Sequence, residues 1–573
     1  MNSINSESLP ESAPQPPQPP PAPRKLAGRL AILLVLLLLV LPALVYLAAG
    51  LPLLNAREVW LQNRTEDALH QLRFERFGIR PADYERARAA IALTGGRKDV
   101  ADAALSALSK RRAPWFPVFT KSLVARKLVT AGKFEEFRRF DRAAADRRET
   151  SEVWLDRAAS EIAMGDISSA SQDFQRIKPS EVDRGRLHAL RAAIEERRDG
   201  SFPLLLDRYG RTLAEWKASS RDLEASRDFA PLLDRAGGSR TVEAQLTGSP
   251  GASIIETTLD PFVQRAALAA LGTHRGSFVA IDTATNEILA VANSGGAGPI
   301  SNLAFDGDYE PGSVVKVLTS LDAVQSGVDL SHFFPRPCEG SLTLDGKVFR
   351  DWQKHGVIEG LDHALAVSCN VTLGELGLRL GKERLISFME SAGFNSTIDT
   401  GLVRTPLGRT IGTVSSQYDL ASLAIGLEKE RMNALHVAMV ASMVANRGVF
   451  TVPHLVRLRR TVLGDTLPVA ASVPGRRIAG DDAVAAVTEA MRAVVDRTDG
   501  TGRRSAVPGF PIAMKTGTAG EGANGFNSVI LAFAPADNPR IAIGMISEHT
   551  GPAEYVGAQI AHDFFAAVSA RRQ

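Results

Sequence analysis

Cysteine is almost missing from this chain: 573 residues hold two, Cys338 and Cys369. That scarcity excludes a disulfide framework and any metal site of the usual four-ligand, cysteine-built kind. In an oxidising exterior the two could pair, but sequence gives no distance between them, and two separate buried thiols are expected. A strong charge imbalance is missing as well. Lys and Arg number 67 against 64 Asp and Glu, a formal net charge of +3, too mild to argue for a nucleic-acid partner. What is present is globular in composition, 45% apolar and 23% charged. The chain is too long for one ordinary core, so two or three separately packed units are expected.

Residues 1–29 read as a cytoplasmic tail, Pro-rich up to Pro23 and too poor in apolar side chains to pack. Arg24, Lys25 and Arg29 then precede an uncharged run from Leu30 to Leu54. As a helix this run would extend roughly 37 Å, enough to cross a hydrocarbon core of ~30 Å. Only Arg57 follows closely, so the basic flank places the tail in the cytoplasm and the rest of the chain outside. A cleaved signal peptide would have a shorter apolar run and an A-x-A-like end, which Leu47-Ala48-Ala49-Gly50 matches poorly.

From 57 to 235 the pattern is helical. Two pieces, Ala131 to Phe140 and Met164 to Phe174, recur at 33 to 34 residues, the period of a tetratricopeptide-like helix pair. A platform for partner proteins and a plain helical spacer both fit. Leu204 to Trp216 reads as strand-turn-strand, and residues 236–253 as a linker. From 254 to 573 a further domain is expected. Ile254 to Thr257 suits a strand, with Asp260 capping a helix from Pro261 to Leu271. Ser277–Asp282 and Glu287–Ala292 suit a hairpin. Late strands are expected near 511–516, 528–534 and 540–546, and a closing helix over 561–570. Strands at both ends with helices between them imply an α+β domain whose sheet is assembled from distant segments.

The chemistry centres on Tyr309-Glu310-Pro311-Gly312-Ser313-Val314-Val315-Lys316. A Pro-Gly turn delivers Ser313 to what reads as the first turn of an apolar helix, and residues i and i+3 share a helix face. A buried lysine loses its proton more readily, and a neutral amine beside a hydroxyl is a base beside its nucleophile. Ser-x-x-Lys alone specifies little. Its weight comes from two later pieces in a fixed order, Ser368-Cys369-Asn370 and Lys515-Thr516-Gly517-Thr518.

That ordered set resembles the penicillin-binding protein transpeptidases and serine β-lactamases. The resemblance covers roughly residues 203–570 and includes Asp207-Arg208-Tyr209-Gly210, Ala445-Asn446-x-Gly448 and Phe533-Ala534-Pro535. Cys338-Glu339-Gly340, Asp351-Trp352, His355-Gly356 and Ser368-Cys369-Asn370 are similar to the elongation-type members above all. The resemblance implies an antiparallel sheet flanked by helices, with a helical subdomain. It implies Ser313 as nucleophile toward a D-alanyl-D-alanine terminus, Lys316 as base, Ser368 as proton relay and Asn370 as orienter. Lys515 would be a second cation that lowers the Lys316 pKa, Thr516 and Thr518 would bind the substrate carboxylate, and Gly517 would let the substrate strand approach. The N–H groups of Ser313 and Thr518 would form the oxyanion hole. No cofactor or metal is implied, and His355 is expected to be structural or substrate-adjacent.

Peptidoglycan stem peptides are the implied substrates and β-lactams the covalent inhibitors, with cell-wall synthesis proteins as partners of the helical region. A D,D-carboxypeptidase shares every residue named, and a catalytically weak scaffold remains an alternative. Glycosyltransferase motifs are not found, and neither is a Glu-x-x-x-Asn between Asn370 and Lys515, the pattern of class A β-lactamases. Met514 stands where the family commonly has glycine, and Asn527-Ser528 where a tryptophan is expected.

Overall fold

Two strands, β1 (Arg275–Asp282) and β2 (Ile288–Gly295), pair as an antiparallel hairpin in a computed structural model of the chain. The structure describes residues 24–571 apart from 75–77, 115–116, 145, 147–148, 165, 200–203, 218–221, 227–228, 230–253, 297–301, 462, 468, 470–473 and 521–524. The Pro-rich stretch 1–23 and the expected linker 236–253 lie outside the described residues.

More than two hundred residues later, β3 (Ala513–Ala519), β4 (Asn527–Ala534) and β5 (Ile541–Ser547) complete a five-stranded sheet in the order β3-β4-β5-β1-β2. Every pairing is antiparallel. All five strands are apolar along most of their length because both faces are covered, which removes the in-out alternation of a half-exposed sheet. Of the helices α1 (Pro261–Leu271), α2 (Lys316–Gln325), α3 (Leu361–Ala366), α4 (Asn370–Leu380), α5 (Ala434–Ala445), α6 (Asp481–Asp496) and α7 (Val556–Ala570), α1, α5, α6 and α7 pack on the sheet, α2 and α3 pack on α6, and α4 packs on α2. Asp260 accepts from the N–H groups of Phe262 and Val263 and so caps α1, with Pro261 in the first turn, as the sequence reading expects.

Cross-strand partners share a face, which identifies the two coverings. Phe278 and Met545 are paired, and the Phe278 ring lies 4.6 Å from that of Phe564 on α7. Val279 and Gly544 are the next pair and therefore point the other way, toward α5. A Cβ on Gly544 would come 2.2 Å from Ala434 O and 2.3 Å from Ala438 N. Gly544→Ala should therefore push α5 off the sheet at a cost of about 1–3 kcal/mol, visible as a lower thermal midpoint. An unchanged midpoint would show that the helix yields freely.

A second sheet has six strands, from Thr466–Leu467 through Val456–Arg460, Ile254–Thr257, Leu204–Leu206 and Thr212–Lys217 to Asp222–Ala225. The strand-turn-strand expected over Leu204 to Trp216 is its Leu204–Leu206 and Thr212–Lys217 pair.

By internal contacts the chain forms two units: residues up to 124 with 139–148, and 125–138 with 149–573. Within the first, Trp60 is fully buried, its indole N–H donates to Thr94 Oγ1 at 2.7 Å, and its ring lies 5.1 Å from Phe119. Arg86 is also fully buried there and pairs with Asp146 at 2.5 Å. Within the second, helices Ser151–Ala163 and Ile167–Phe174 pack on each other and against Arg184–Asp199. Helices begin at Phe134 and Ile167, matching the spacing read from the sequence.

The apolar run expected over 30–54 is divided. One helix spans Arg24–Ala48, a turn occupies Ala49 and Gly50, and a second helix spans Leu51–Leu61. Pro52, which lacks an N–H, sits in the first turn of the second helix, where no partner is needed. Within Leu34–Leu61 an 18-residue stretch has a mean hydropathy of 2.7, and the segment is long and apolar enough to cross a membrane. Leu34 to Leu41 are about half exposed or more, as a lipid-facing segment would be.

Candidate active site

The segment before Ser313 is fixed by backbone contacts that only glycine permits. Tyr309 and Met432 exchange both backbone hydrogen bonds, and the Gly312 N–H donates to Gly426 O at 2.9 Å. Gly312 has φ +57° and Gly426 φ +80°. A Cβ on Gly426 would lie 2.1 Å from Gly312 O, and one on Gly312 would lie 2.8 Å from Thr518 O. The Ser313 turn is thus pressed against strand β3. The sequence places Ser313 in the first turn of an α-helix, but Gly312–Val315 is a 3₁₀ turn and the α-helix begins at Lys316. The tighter turn eclipses residues i and i+3, so Ser313 and Lys316 align more directly than on an α-helix. Val314, Val317, Leu318 and Leu321 are buried, as their periodicity requires.

Lys316 is fully buried. Its ammonium has three protons, and Nζ has three acceptors: Ser368 O at 2.7 Å, Asn370 Oδ1 at 2.6 Å and Ser368 Oγ at 3.3 Å. Ser368 lies in the break between α3 and α4, at φ +57°. This conformation costs a non-glycine residue roughly 1–2 kcal/mol and is tolerated where surrounding contacts over-determine it. Lys515, also fully buried, donates to the same Ser368 Oγ at 2.9 Å and to Thr516 O at 2.8 Å.

Ser368 Oγ therefore sits between two buried lysines. Burial, offset in part by the charge of Asp351, brings the Lys316 pKa down from 10.5 to about 8. Burial and then the charge of Lys316 hold that of Lys515 well below its usual range. Desolvation is thus the cause of the Lys316 shift, as the sequence reading expects, while the help it expects from Lys515 falls the other way, the repulsion acting on Lys515.

On β3, Thr516 Oγ1 lies 2.7 Å from Thr501 Oγ1, and Thr518 Oγ1 accepts from the Ala553 N–H at 3.0 Å. Gly517 has a packing reason besides any substrate: a Cβ there would lie 2.6 Å from Pro311 O. Ser313, Ser368, Asn370, Thr516 and Thr518 all line one cleft of about 660 Å³. All the residues read from the sequence as a site thus come together, Lys316 and Lys515 beneath the cleft and Gly517 between its two threonines. The same cleft is lined by Glu310 of the stretch from Tyr309 to Lys316 and by residues the sequence reading does not single out, among them Thr501, Phe526 and the carboxylates Glu428 and Glu554. Phe526 directly precedes Asn527-Ser528, where the resemblance leads to the expectation of a tryptophan that this chain lacks at that point. Thr501 stands between Gly500 and Gly502, a turn signal that could have drawn attention to it.

Cys338 and Cys369 are both free and buried. Their Sγ atoms donate to Asp351 Oδ2 at 3.4 and 3.1 Å, and His355 Nε2 lies 3.4 Å from Asp351 Oδ1. One ligand atom from each of Cys338, Asp351 and Cys369 falls within 4.8 Å of the others. Two thiols and a carboxylate form a mixed donor set of the kind that can hold a divalent ion such as zinc. The sequence reading expects no metal here and a structural or substrate-adjacent His355.

A family model for the penicillin binding protein transpeptidase domain matches residues 276–570. That is more than half of the chain, and the chain belongs to this family. Among curated proteins it is 27% identical over 374 residues to the peptidoglycan D,D-transpeptidase PbpA of Mycolicibacterium smegmatis, covering 56% of this chain and 72% of that protein. It is 27% identical over 427 residues to the peptidoglycan D,D-transpeptidase MrdA of Acinetobacter baumannii, covering 61% of this chain and 62% of the other. Among solved structures, the D,D-transpeptidase domain of a peptidoglycan glycosyltransferase from Eggerthella lenta aligns with a TM-score of 0.58 at 24% identity, covering 65% of this chain and 99% of that one. Penicillin-binding protein A from M. tuberculosis, in an acyl-enzyme complex with a cephalosporin, aligns at 0.55 and 21%, covering 65% and 99%. At these identities the likeness is one of fold.

Proposed function

We propose that this chain is a membrane-anchored serine D,D-transpeptidase that cross-links peptidoglycan stem peptides through an acyl-enzyme on Ser313. The observation that carries the reading is Ser368 Oγ held between Lys316 and Lys515 in the cleft that exposes Ser313. Burial disfavours the charged form of both lysines, and Lys316 in its neutral form is the base. A substrate carboxylate binds at Thr516 and Thr518.

Ser313 Oγ attacks the carbonyl of the penultimate D-alanine and its proton passes to Lys316. The N–H groups of Ser313 and Thr518 stabilise the oxyanion, each worth ~2.7–4 kcal/mol in a comparable acyl-transfer site. The proton returns through Ser368 to the departing D-alanine, and Asn370 keeps Lys316 oriented. The amine of a second stem peptide then attacks the ester, forming the cross-link and freeing Ser313. Leu34–Leu61 holds the chain in the membrane, with the basic flank Arg24, Lys25 and Arg29 inside and the catalytic domain outside. β-Lactams acylate the same serine, and the helices before residue 200 serve as a platform for cell-wall synthesis proteins.

Release of free D-alanine from a peptide ending in D-alanyl-D-alanine tests the reading, and no release by folded protein would sink it. The pH dependence tests the base. Lys316 acts in its neutral form, so acylation by a penicillin should rise about tenfold per pH unit and level off above about 8. A rate that is flat from pH 6 to 9 would remove Lys316 from that role.

A further inference from the structure

Thr501 lies outside the three motifs yet touches two of the elements that form the cleft. Its N–H donates to Ala366 O at 3.0 Å, and its hydroxyl lies 3.1 Å from the same oxygen and 2.7 Å from Thr516 Oγ1. Ala366 ends α3, two residues before Ser368, and Thr516 follows Lys515 on β3. Each hydroxyl carries a single proton, so this chain of contacts has two arrangements. If Thr501 donates to Ala366 O, Thr516 donates to Thr501 and offers only lone pairs to the cleft. If Thr501 donates to Thr516, the Thr516 proton is free to face the cleft. Ala366 O loses little in the second arrangement, because the Thr501 N–H still satisfies it.

We infer that Thr501 is a positioning residue that orients the Thr516 hydroxyl as a donor to the substrate carboxylate, binding of the carboxylate selecting the second arrangement. Thr516 is only 4% exposed, so its hydroxyl has few other partners with which to hold that orientation. The inference rests on the proposed function, since it needs a carboxylate-bearing substrate in this cleft.

The test compares acylation of the full-length chain by a penicillin and by the methyl ester of its carboxylate. In Thr501→Val the free-acid rate should fall about tenfold to a hundredfold, the range of one hydrogen bond to a charged group, while the ester rate stays unchanged. Thr501→Ser should restore the free-acid rate. Equal losses for acid and ester, or no loss for either, would overturn the inference and assign Thr501 a structural role or none. If the wild-type chain is acylated by neither compound, the proposed function itself falls and this inference falls with it.

Discussion

A fluorescent penicillin added to the full-length chain should leave a covalent adduct on Ser313, and Ser313→Ala should leave none. The expected loss in acylation rate is on the order of 10⁶, the effect of removing the nucleophile from a serine acyl-transfer enzyme. Its size follows from the site. The lysines and Ser368 can move protons, but Ser313 is the hydroxyl that the 3₁₀ turn sets one turn ahead of the buried Lys316. The substitution removes one oxygen from a partly exposed position, so the variant should unfold at the same temperature as the parent. A labelled Ser313→Ala protein, with the adduct mapped elsewhere by peptide mass spectrometry, would assign the nucleophile to another residue.

Lys316→Arg should slow acylation by about 10²–10⁴, the usual contribution of a positioned general base. Arginine keeps a cation at the site but does not give up its proton in proteins, so the substitution separates charge from basicity. Lys316→Ala is the companion variant. It leaves Ser368 O and Asn370 Oδ1 without the donors they have at 2.7 and 2.6 Å, which should also loosen the strained backbone at Ser368. Both variants should lose the rise in rate with pH, measured by gel fluorescence over a timed series. If Lys316→Arg acylates at the parental rate, the lysine serves only as a charge.

The alignment of Ser313 with Lys316 was legible in the sequence because it is local, two residues three apart on an apolar turn. Their partners were not legible by periodicity. Ser368 is 52 residues from Lys316 and 147 from Lys515, and only the fixed order of three short motifs joined them before the fold did. The hairpin, the cap at Asp260 and the late strands followed from turn residues and apolar runs. The 3₁₀ geometry at Gly312 did not, since it depends on Gly426 and Thr518 pressing on that turn from distant segments. Thr501 and Phe526 escaped notice for the same reason, being placed by the ends of elements and carrying no pattern of their own. The donor set around Asp351 carries no sequence pattern, since Cys338, Asp351 and Cys369 meet only in the fold. The division of the apolar run at Ala49 and Gly50 was readable in Gly50 and Pro52, which the hydropathy of the run obscured.

The most direct test of the central claim supplies the chain, in detergent or vesicles, with uncross-linked peptidoglycan strands carrying pentapeptide stems, then digests the glycan and separates the muropeptides by mass. The expected result is cross-linked dimers together with free D-alanine, both abolished by penicillin and by Ser313→Ala. Free D-alanine with trimmed monomers and no dimers would mean that water, not an amine, takes the acyl group, and would contradict the assignment as a transpeptidase.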